Sequence, residues 1–513
     1  MSKYNFDGLF IFEMANNHQG DLEHGLRIIN EVAKEAYHAD VRGAFKFQFR
    51  DLDTFIHPDH QSGSTNKHIP RFLSTRLSQD QFKTLFDEVR KRGLVTICTP
   101  FDETSVDHIV RQGIEIIKIG SCSAKDWPLL EKVSQTGKPV ICSTGGLEIA
   151  DIDKLVSFFN HRGVNFALMH CVSSYPTPHK DLYLNQIETM KNRYSGVPIG
   201  FSTHEAPDDP TPVVVAYAKG ARLFEKHVAI PTDKHKINSY SATPEQIRKW
   251  LEAYRKAVEI CGARTRRPIT REEEADLNTL KRGVYARTPI RKGQSVKAED
   301  VFFAMPLQEK QLKSEVWREG IIADADYEKN QPLATHLVSE TPTRKEIIYS
   351  MIHEIKGMLN EAKIPIGREF YIEMSHHYGV ERFREFGAIL ITVINRSYCK
   401  KLVIQLPHQA HPNHFHKRKE ETFQVLWGEL EIEAEGVKKT LYPGDLYLVQ
   451  AGVWHSFSTR TGVIFEEIST TAFNDDSFYE DKTIASMKRE ERKTQLENWG
   501  RYYFYQENGT LHE

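Results

Sequence analysis

The sequence lacks the features that would point to a membrane, a nucleic acid or a secreted protein. It has 68 lysines and arginines against 70 aspartates and glutamates, so it shows no basic excess of the kind typical of nucleic-acid binders or polybasic membrane proteins. Apolar stretches such as Gly387–Ile394 are under half of the ~20 residues that span a bilayer. The opening segment, Met1–Asp7, is too polar for a signal peptide.

Cysteine is also scarce, and its spacing excludes a disulfide framework. No C-x-x-C pair occurs, and most of the cysteines lie in apolar, strand-like runs where a free thiol behaves as a small apolar side chain. The six are Cys98, Cys122, Cys142, Cys171, Cys261 and Cys399. We therefore expect a reducing, cytoplasmic compartment. The 513 residues, of which 40% are apolar, predict a globular protein of about three domains.

From Leu9 to His227, short apolar runs alternate with longer segments of helical pattern. The runs are Leu9–Glu13, Ala44–Phe49, Leu94–Thr99, Glu115–Ile119, Pro139–Ser143, Phe166–Cys171, Val197–Phe201 and Arg222–His227. Helix candidates between them include Leu22–Ala36, Gln79–Arg92, Asp126–Thr136 and Ile149–His161. Eight such units in about 255 residues favour an α/β fold, the (β/α)₈ or TIM barrel. The alternative, an open doubly wound sheet, would need a G-x-G-x-x-G after a strand, which the sequence does not show.

Polar side chains follow nearly every predicted strand, where TIM-barrel active sites lie. Lys46 and Lys118 fall inside apolar strands, for which the alternative interpretation is an edge position or a salt bridge. We predict that the two lysines form a cradle for an anion, together with Ser121, Ser143 and the amides of Gly145 and Gly146. We therefore expect a phosphorylated or carboxylated substrate.

The last two strands end in His204 and His227, and the first ends in Glu13. Two imidazoles from neighbouring strands can share one divalent metal, whereas the alternative is one core histidine and one general acid. Because the first strand adjoins the eighth after barrel closure, Glu13 is expected near this site, as a ligand or as a base for water.

These segments resemble the sialic acid synthases, the family of N-acetylneuraminate and related nonulosonate synthases. Phe12–Gly20 looks like their AEIGxNHxG opening, and the resemblance covers about residues 8–335. Further matches are Phe45–Gln48, Thr99–Glu103, Lys118–Ser121, Gly137–Val140, Ser143–Gly145, His170–Cys171, Tyr175–Pro178 and Glu225–His227. The resemblance implies a barrel that condenses phosphoenolpyruvate (PEP) with an aldose, releasing phosphate and a 3-deoxy-2-keto sugar acid.

The resemblance also implies roles for individual residues. His204 and His227 would hold Mn²⁺ or Mg²⁺, Glu13 would activate water, and Tyr175 would flank the sugar. The residues implied to hold PEP are Lys46, Gln48, Lys118, Ser121, Ser143, Gly145, Ser173 and Ser202. The catalytic residues expected in the barrel are thus Glu13, Lys46, Lys118 and Tyr175.

The sequence departs from the family where the family binds its acceptor sugar. The motif YSDHT is Phe201–Glu205 here, so its aspartate is lost, and the acidic GPDH-type loop is replaced by Lys236–Tyr240. Arg282–Gly293 resembles the family's small antifreeze-like (SAF) domain, but its KRPGxG stretch, with an arginine that contacts an N-acetyl group, is Ala304–Gln308 here. We therefore expect an acceptor without the N-acetyl group, or a different stereoisomer. The resemblance also implies a homodimer with the SAF domain over the partner's active site.

Residues 385–470 change to short strands and frequent turns, as in an all-β barrel. His414 and His416 would share one face of a strand, since side chains alternate with period two. Glu421 and His455 would complete a His₃Glu metal set for Mn, Zn, Fe or Ni. This spacing resembles both cupin motifs.

Lys419 and Glu466 are similar to a Lys/Glu pair of D-lyxose isomerase-type cupins, in which they move a proton between C1 and C2 of a sugar. This resemblance makes them the expected catalytic residues of the second site. A catalytically inactive sugar-binding cupin is the alternative, because fold alone does not fix function.

The predicted organisation is a PEP-condensing barrel (residues 1–263), a charged linker (264–280), a SAF domain (281–340) and a cupin domain with a preceding packing helix (341–513). The substrates are PEP and an aldose, without nucleic acid or membrane as partner. Two other classes remain open: a lyase or aldolase of 3-deoxy-ulosonic acids with a non-catalytic cupin, and a binding protein without activity.

Overall fold

A computed structural model describes residues 4–61, 64–263, 266–337, 344–367 and 371–497. The chain divides into two compact units, Met1–Pro268 and Ile269–Glu513. The predicted domain limits at 264 and at 340 fall on residues outside the described ranges, as do residues 498–513 of the predicted cupin domain. None of the described helices combines the length and apolar character needed to cross a bilayer.

The first unit contains a closed barrel of eight parallel strands, which confirms the predicted (β/α)₈ fold. The strands are β1 (Leu9–Glu13), β2 (Arg42–Phe49), β3 (Val95–Pro100), β4 (Ile116–Ile119), β5 (Val140–Ser143), β6 (Phe166–Cys171), β7 (Ile199–Thr203) and β8 (Leu223–His227). Each strand pairs with the next one in the chain, and β8 closes the barrel on β1, with His227 opposite Glu13.

Helices surround the barrel on its outer side. They are α1 (Leu22–His38), α2 (Leu52–Phe55), α3 (Ile69–Ser74), α4 (Gln79–Lys91), α5 (Glu103–Arg111), α6 (Trp127–Ser134), α7 (Ile149–His161), α8 (Asn185–Arg193), α9 (Thr211–Lys219) and α10 (Pro244–Cys261), with 3₁₀ helices at Pro58–His60, Ser121–Ser123 and His179–Asp181. Their limits follow from capping. Asp21 caps α1 by accepting the His24 N–H, and Gly220 ends α9 in the left-handed conformation (φ 108°).

Because side chains alternate in direction along the strands, the first unit has two buried layers, one between the barrel and its helices and one inside the barrel. Phe10 on β1 packs outward against Trp250 of α10, with ring centroids 5.5 Å apart. Inward-facing residues such as Leu9, Ile11 and Ala44 form a separate apolar cluster inside the barrel. Glu13, two residues beyond Ile11, continues the inward-facing series at the carboxyl end of β1. The barrel is therefore apolar at its base, and charged side chains enter at its carboxyl end.

The second unit begins with a helix and four short strands. The predicted charged linker contains α11 (Arg271–Leu280), after which β9 (Gly283–Ala286) pairs antiparallel with β11 (Val301–Ala304), and β10 (Ser295–Val296) pairs with β12 (Ile321–Ile322). Short 3₁₀ helices lie at Ala298–Asp300, Ser314–Val316 and Thr335–Leu337. Val284, Ile290, Leu312 and Leu333 belong to a buried core of this segment.

The rest of the second unit is an all-β structure preceded by α12 (Arg344–Glu361), in agreement with the sequence expectation. Its strands are β13 (Tyr371–Ser375), β14 (Ala388–Asn395), β15 (Tyr398–Gln405), β16 (Ala410–Phe415), β17 (Glu421–Gly428), β18 (Leu430–Ala434), β19 (Val437–Leu441), β20 (Leu446–Val449), β21 (His455–Ser458), β22 (Val463–Thr470), β23 (Phe478–Tyr479) and β24 (Lys493–Glu497), with a 3₁₀ helix at Val380–Arg382 and helices α13 (Lys482–Ser486) and α14 (Arg489–Arg492). They form a seven-stranded sheet, β20-β17-β22-β15-β14-β13-β24, and a five-stranded sheet, β19-β18-β21-β16-β23.

Candidate active sites

A buried cluster of alternating charges lies at the carboxyl ends of the barrel strands. Glu225 of β8 accepts a hydrogen bond from Lys46 at 2.9 Å through one carboxylate oxygen and from Lys118 at 2.9 Å through the other. The Ser202 hydroxyl donates to Glu225 at 3.0 Å, and Lys46 also forms an ion pair with Glu13. The two lysines predicted to face a common anion therefore converge on one point, and a carboxylate of the chain lies between them.

The pKa shifts of this cluster follow from burial and pairing. Burial raises the pKa of Glu13, although the charge of Lys46 opposes this shift. The pKa of Glu225 is held well below its usual range by Lys118 and Lys46, which together outweigh the effect of its burial. Burial lowers the pKa of Lys118. Glu13 is therefore the carboxyl group of this cluster that can bind a proton most readily.

Small residues pack closely just beyond the ends of β4, β5 and β6. The Gly145 N–H donates to the Ser121 hydroxyl at 2.9 Å, and a Cβ added at Gly145 would lie 2.4 Å from the Ser173 Oγ. Ser143 is buried at the end of β5. These hydroxyl groups and the Gly145 amide lie at the strand ends where the sequence predicts an anion cradle, and that assignment stays a prediction.

His204 and His227 lie side by side, with ring centroids 5.2 Å apart. The His204 Nδ1 lies 2.9 Å from the Val172 carbonyl oxygen, so this nitrogen carries the proton and Nε2 keeps a free lone pair. Burial lowers the pKa of His204 to about 4 and that of His227 well below its usual value, which keeps both rings neutral. The buried Nδ1 of His227 has no hydrogen-bond partner among the described residues. Two neutral imidazoles with available nitrogens fit a shared divalent cation.

Two tyrosines border this pair of histidines. Tyr175 lies 4.3 Å from His204 and Tyr240 lies 5.1 Å from His227, measured between ring centroids. Tyr240 comes from the segment that departs from the family pattern, and Asn238 of the same segment donates to the Asn17 side chain at 3.3 Å. The loop Lys236–Tyr240 is therefore held to the segment that follows β1 by a hydrogen bond between two side-chain amides.

Two residues in this region had no assigned role from the sequence. Glu225 lies within a matched motif, but nothing in the pattern indicates that its carboxylate joins two lysines. Arg50 follows β2, where its guanidinium stacks 3.6 Å from the centroid of Phe101 and 4.0 Å from that of Phe72. It also donates to the Gln48 side-chain oxygen at 3.1 Å. Arg50 thereby positions Gln48, which the family resemblance places at the PEP site.

The second unit contains a cluster that could hold a metal. His414, His416, Glu421 and His455 are buried, and one ligand atom from each lies within 4.8 Å of the others. In every histidine, Nδ1 faces a backbone carbonyl oxygen, that of Pro412, Asp476 or Val453. These contacts orient the Nε2 atoms towards the common centre. His455 Nε2 and Glu421 Oε2 are buried 3.2 Å apart and have no hydrogen-bond partner among the described residues, which fits a divalent cation bound by both atoms.

A lysine and a carboxylate adjoin this cluster. Lys419 Nζ lies 2.5 Å from Glu421 and 3.0 Å from Glu467, and Lys401 lies 3.2 Å from Glu467. Glu466, the expected partner of Lys419, is not part of this group. Because side chains alternate along β22, Glu466 points to the other face and pairs with Lys400 at 2.8 Å. The carboxylate that faces Lys419 is therefore that of Glu467, and the expectation of Glu466 is wrong.

A cavity of about 140 Å³ opens beside the His/Glu cluster. Three of the four cluster residues line it, namely His414, His416 and Glu421, together with Lys419 and Glu467. A cavity on which several polar side chains converge is a candidate small-molecule site.

Comparisons with known proteins agree with both halves of this description. A family model described as the NeuB family matches residues 31–266, and a cupin domain model matches residues 401–466. One similar crystal structure is that of a protein from Chromobacterium violaceum ATCC 12472, which is described as a spore coat polysaccharide biosynthesis protein E. It is 45% identical to this chain, with a TM-score of 0.62, and the match covers 64% of this chain and 98% of its own.

Two curated relatives are similar to about half of the chain. An uncharacterized protein of Methanocaldococcus jannaschii is 32% identical over 58% of this chain and 84% of its own length. The N-acetylneuraminate-9-phosphate synthase of Drosophila melanogaster is 30% identical over 47% of this chain and 66% of its own. With the closed barrel and its charged mouth, these matches show that the chain belongs to the NeuB family and carries a cupin domain in its second half.

Proposed function

We propose that the barrel is a synthase that condenses PEP with an aldose and releases phosphate and a 3-deoxy-2-keto sugar acid. The observation that carries this proposal is the buried arrangement of Lys46, Lys118 and Glu225 at the carboxyl ends of the strands. Membership of the NeuB family supports it, as does the similarity to a relative named N-acetylneuraminate-9-phosphate synthase.

In this proposal, PEP lies over the two lysines. Lys46 and Lys118 offset its charge, and the Ser121 hydroxyl, which accepts the Gly145 N–H, can itself donate to a phosphate or carboxylate oxygen. The polar side chains that complete the PEP site are Gln48, Ser121, Ser143, Ser173 and Ser202. Glu225 holds the ammonium groups in place, so that they need no reorientation when PEP binds.

The electron pair of the C2=C3 double bond of PEP forms a bond between C3 and the aldehyde carbon, and the aldehyde oxygen takes up a proton to become a hydroxyl group. Water then adds to the cationic C2, and the C2–O bond to phosphate breaks as the new C2 hydroxyl group gives up its proton and becomes the keto group. Glu13 takes the proton of that water, since its carboxyl group is the one in the cluster whose pKa burial raises. Tyr175 borders the acceptor. His204 and His227 would hold Mn²⁺ or Mg²⁺, which when bound supplies Lewis-acid polarisation of the aldehyde oxygen.

We further propose that the acceptor lacks an N-acetyl group or differs in stereochemistry. The loop at Lys236–Tyr240 supplies one side-chain amide and a tyrosine where the family pattern has a carboxylate, and Met305 stands in the stretch where that pattern has an arginine. Condensation assays with N-acetylmannosamine and with plain aldoses test this point. A strong preference for N-acetylmannosamine would contradict it.

The synthase proposal is tested by phosphate release and by mass spectrometry of the product from PEP, metal and a panel of aldoses. Lys118→Met removes a lysine that faces into the barrel, whereas Lys226→Met removes one whose ammonium group pairs with Glu205 at 2.8 Å, away from the Lys46–Glu225 cluster. Both lysines are buried, so each variant loses about 3–5 kcal/mol of unfolding free energy. Only Lys118→Met is expected to abolish condensation by the folded enzyme. Equal activity of the two variants would refute the assignment.

An aldolase acting through a Schiff base on Lys46 or Lys118 is the competing activity. Borohydride trapping of a substrate on the protein, with turnover that EDTA does not affect, would identify it.

For the cupin domain, we propose a metal-dependent sugar site that interconverts a ketose and an aldose. Lys419 and Glu467 would move a proton between C1 and C2, beside a divalent Mn, Zn, Fe or Ni ion held by His414, His416, Glu421 and His455. The contact of Lys419 with both carboxylates supports this role. Glu467→Gln is expected to abolish isomerisation, and Glu466→Gln, on the opposite face of the same strand, to retain it. If neither wild type nor Glu466→Gln converts any ketose, the domain is a binding module.

We also propose that the protein works in the cytoplasm as a homodimer, with the SAF domain of one subunit over the partner's barrel. The free state of all six cysteines is compatible with a reducing compartment. Light scattering of the purified full chain would show a mass twice that of the 59.2 kDa monomer.

A further inference from the structure

The cupin cavity has a second charged group of residues besides the metal cluster. Glu373 on β13 forms ion pairs with Arg489 and with Lys493, the first residue of β24. These two strands lie at one edge of the seven-stranded sheet, whereas β17, which carries Glu421, lies next to the other edge. Both groups line the same cavity, and Lys401 and Glu467 lie on the strands between them. The cavity therefore has the His/Glu cluster at one end and, at the other, Arg489 and Lys493, which we call its cationic end.

Cations outnumber carboxylates along this cavity. Its described lining includes four cations, Lys401, Lys419, Arg489 and Lys493, and three carboxylates, Glu373, Glu421 and Glu467. Glu373 has two cationic partners, and so does Glu467. The net charge of these lining residues is therefore +1, and it becomes +3 when the His/Glu cluster binds a divalent cation.

This excess of positive charge is largely shielded from solvent, which makes it costly without a counter-ion. The side chains of Lys401 and Lys493 are 14% and 15% exposed, and that of Arg489 is 29% exposed. The pKa of Lys493 is lowered by burial, and the neighbouring charges of Lys401 and Arg489 act in the same direction. Like charges enclosed in one cavity repel each other more strongly than in water, so an anion between them would be stabilising.

The other lining residues are suited to hydroxyl groups. Thr392, Asn395, Asn474 and Ser477 border the cavity, and Ser375 lies near its cationic end. Such side chains donate and accept hydrogen bonds, as a polyhydroxylated ligand requires. The guanidinium of Arg489 can pair with a carboxylate or a phosphate through two parallel hydrogen bonds.

We infer that the ligand of the cupin domain is an acidic sugar, whose carboxylate or phosphate lies at Arg489 and Lys493 while its carbonyl and hydroxyl groups face the His/Glu cluster. The inference rests on the proposed metal-dependent sugar site and adds the charge of the ligand to it. With a neutral sugar, Arg489 and Lys493 would share the single carboxylate of Glu373, so charge at the far end of the sugar becomes the main determinant of affinity.

Calorimetric titration of the full chain loaded with Mn²⁺ tests this inference. D-Mannose, D-mannuronate and D-mannose 6-phosphate form a series that differs at C6, and the two acidic members distinguish a carboxylate from a phosphate. His414→Ala/His416→Ala provides the background from sugar binding elsewhere in the chain. We expect at least one acidic sugar to bind tenfold or more tightly than mannose. Arg489→Gln should reduce this preference about tenfold, without changing the affinity for mannose.

Controls separate charge recognition from folding. Arg460→Gln removes an exposed cation that pairs with Glu429 at 3.2 Å and does not line the cavity, so it should leave all affinities unchanged. Lys493 lies on β24 and is more enclosed than Arg489, so its removal disturbs the sheet more, and Arg489→Gln is the decisive variant. Equal affinity for mannose and both acidic sugars would overturn the inference but leave the sugar site intact. If no sugar distinguishes the wild type from His414→Ala/His416→Ala, the sugar site itself fails, and the inference fails with it.

Discussion

At the residue scale, Gly145 is where the barrel site depends most directly on the absence of a side chain. A methyl group there would lie 2.4 Å from the Ser173 Oγ and 2.9 Å from the Ser121 Oγ, so both hydroxyl groups would have to move. We expect Gly145→Ala to weaken PEP use, with kcat/KM lower by on the order of a hundredfold, since misplacement by about 1 Å has effects of this size. The measurement is steady-state phosphate release at varied PEP.

Gly120 offers a matched control at the same end of the barrel. A Cβ at Gly120 would meet its nearest neighbour, the Cys122 Sγ, at 3.8 Å, which is an ordinary contact. Gly120→Ala should therefore keep kcat/KM within about twofold of the wild type. Similar losses in both variants would mean that the effect comes from general disturbance of the barrel mouth.

Asp476 is the residue that positions the metal-binding segment of the cupin domain. Its buried carboxylate accepts the backbone N–H groups of Lys417, Arg418 and Lys419 at 3.0–3.2 Å, and its carbonyl oxygen accepts the His416 Nδ1–H. We expect Asp476→Ala to reduce metal affinity about 10- to 100-fold, as observed for outer-shell partners of metal ligands in general. Competition with a chromophoric chelator measures this affinity. Asp475→Ala is the control, because the exposed Asp475 pairs with the Arg418 side chain alone among the described contacts.

At the scale of elements, α12 was predicted to pack rather than to act in chemistry, and its contacts agree. Ile348, Ile352 and Ile355 are buried in the core that α12 shares with β13–β15. Ile355→Ala should lower the free energy of unfolding by about 2–5 kcal/mol, the usual cost of removing a buried isoleucine side chain. His353→Ala, on the exposed face of the same helix, should change it by less than about 0.5 kcal/mol. Urea denaturation followed by circular dichroism measures both values; equal effects would show that α12 does not stabilise the cupin core.

The elements of the barrel were largely predictable because the hydrophobic period, the capping residues and the segment lengths in the sequence all indicate the same helices and strands. β1 and β6 have the predicted limits, and α7 matches Ile149–His161. The starts of β5 and β7 move inward by one and two residues, since Pro139 and Pro198 lack the N–H needed for pairing. The site residues of the mouth could be named because they follow strands.

Partnerships between side chains from distant strands could not be read from the sequence. The position of Glu225 between Lys46 and Lys118 depends on three strands and on barrel closure, which no local pattern encodes. The choice between Glu466 and Glu467 depends on the register of β22 in its sheet, where a shift of one residue reverses the face. Prediction therefore succeeded for positions along a strand and for the His/Glu cluster of the cupin domain, where a known motif supplies the spacing, and failed for the contacts of Glu225 and Glu466.

At the scale of the whole molecule, the two compact units predict two independent metal sites. The barrel offers His204 and His227, and the cupin domain offers His414, His416, Glu421 and His455. We expect elemental analysis to find two divalent ions per full chain after metal loading. His204→Ala/His227→Ala and His414→Ala/His416→Ala should each retain one ion, because the ligand sets share no residue.

The activities should separate in the same way. His414→Ala/His416→Ala should retain PEP-dependent phosphate release when the aldose is supplied directly, and His204→Ala/His227→Ala should retain sugar binding by the cupin domain. Thermal unfolding of each variant checks that the remaining unit is folded, since a bound ion stabilises the unit that holds it. Loss of both ions in either double variant would show that the sites are coupled. The length of the chain would then reflect one composite site rather than two chemistries joined in one polypeptide.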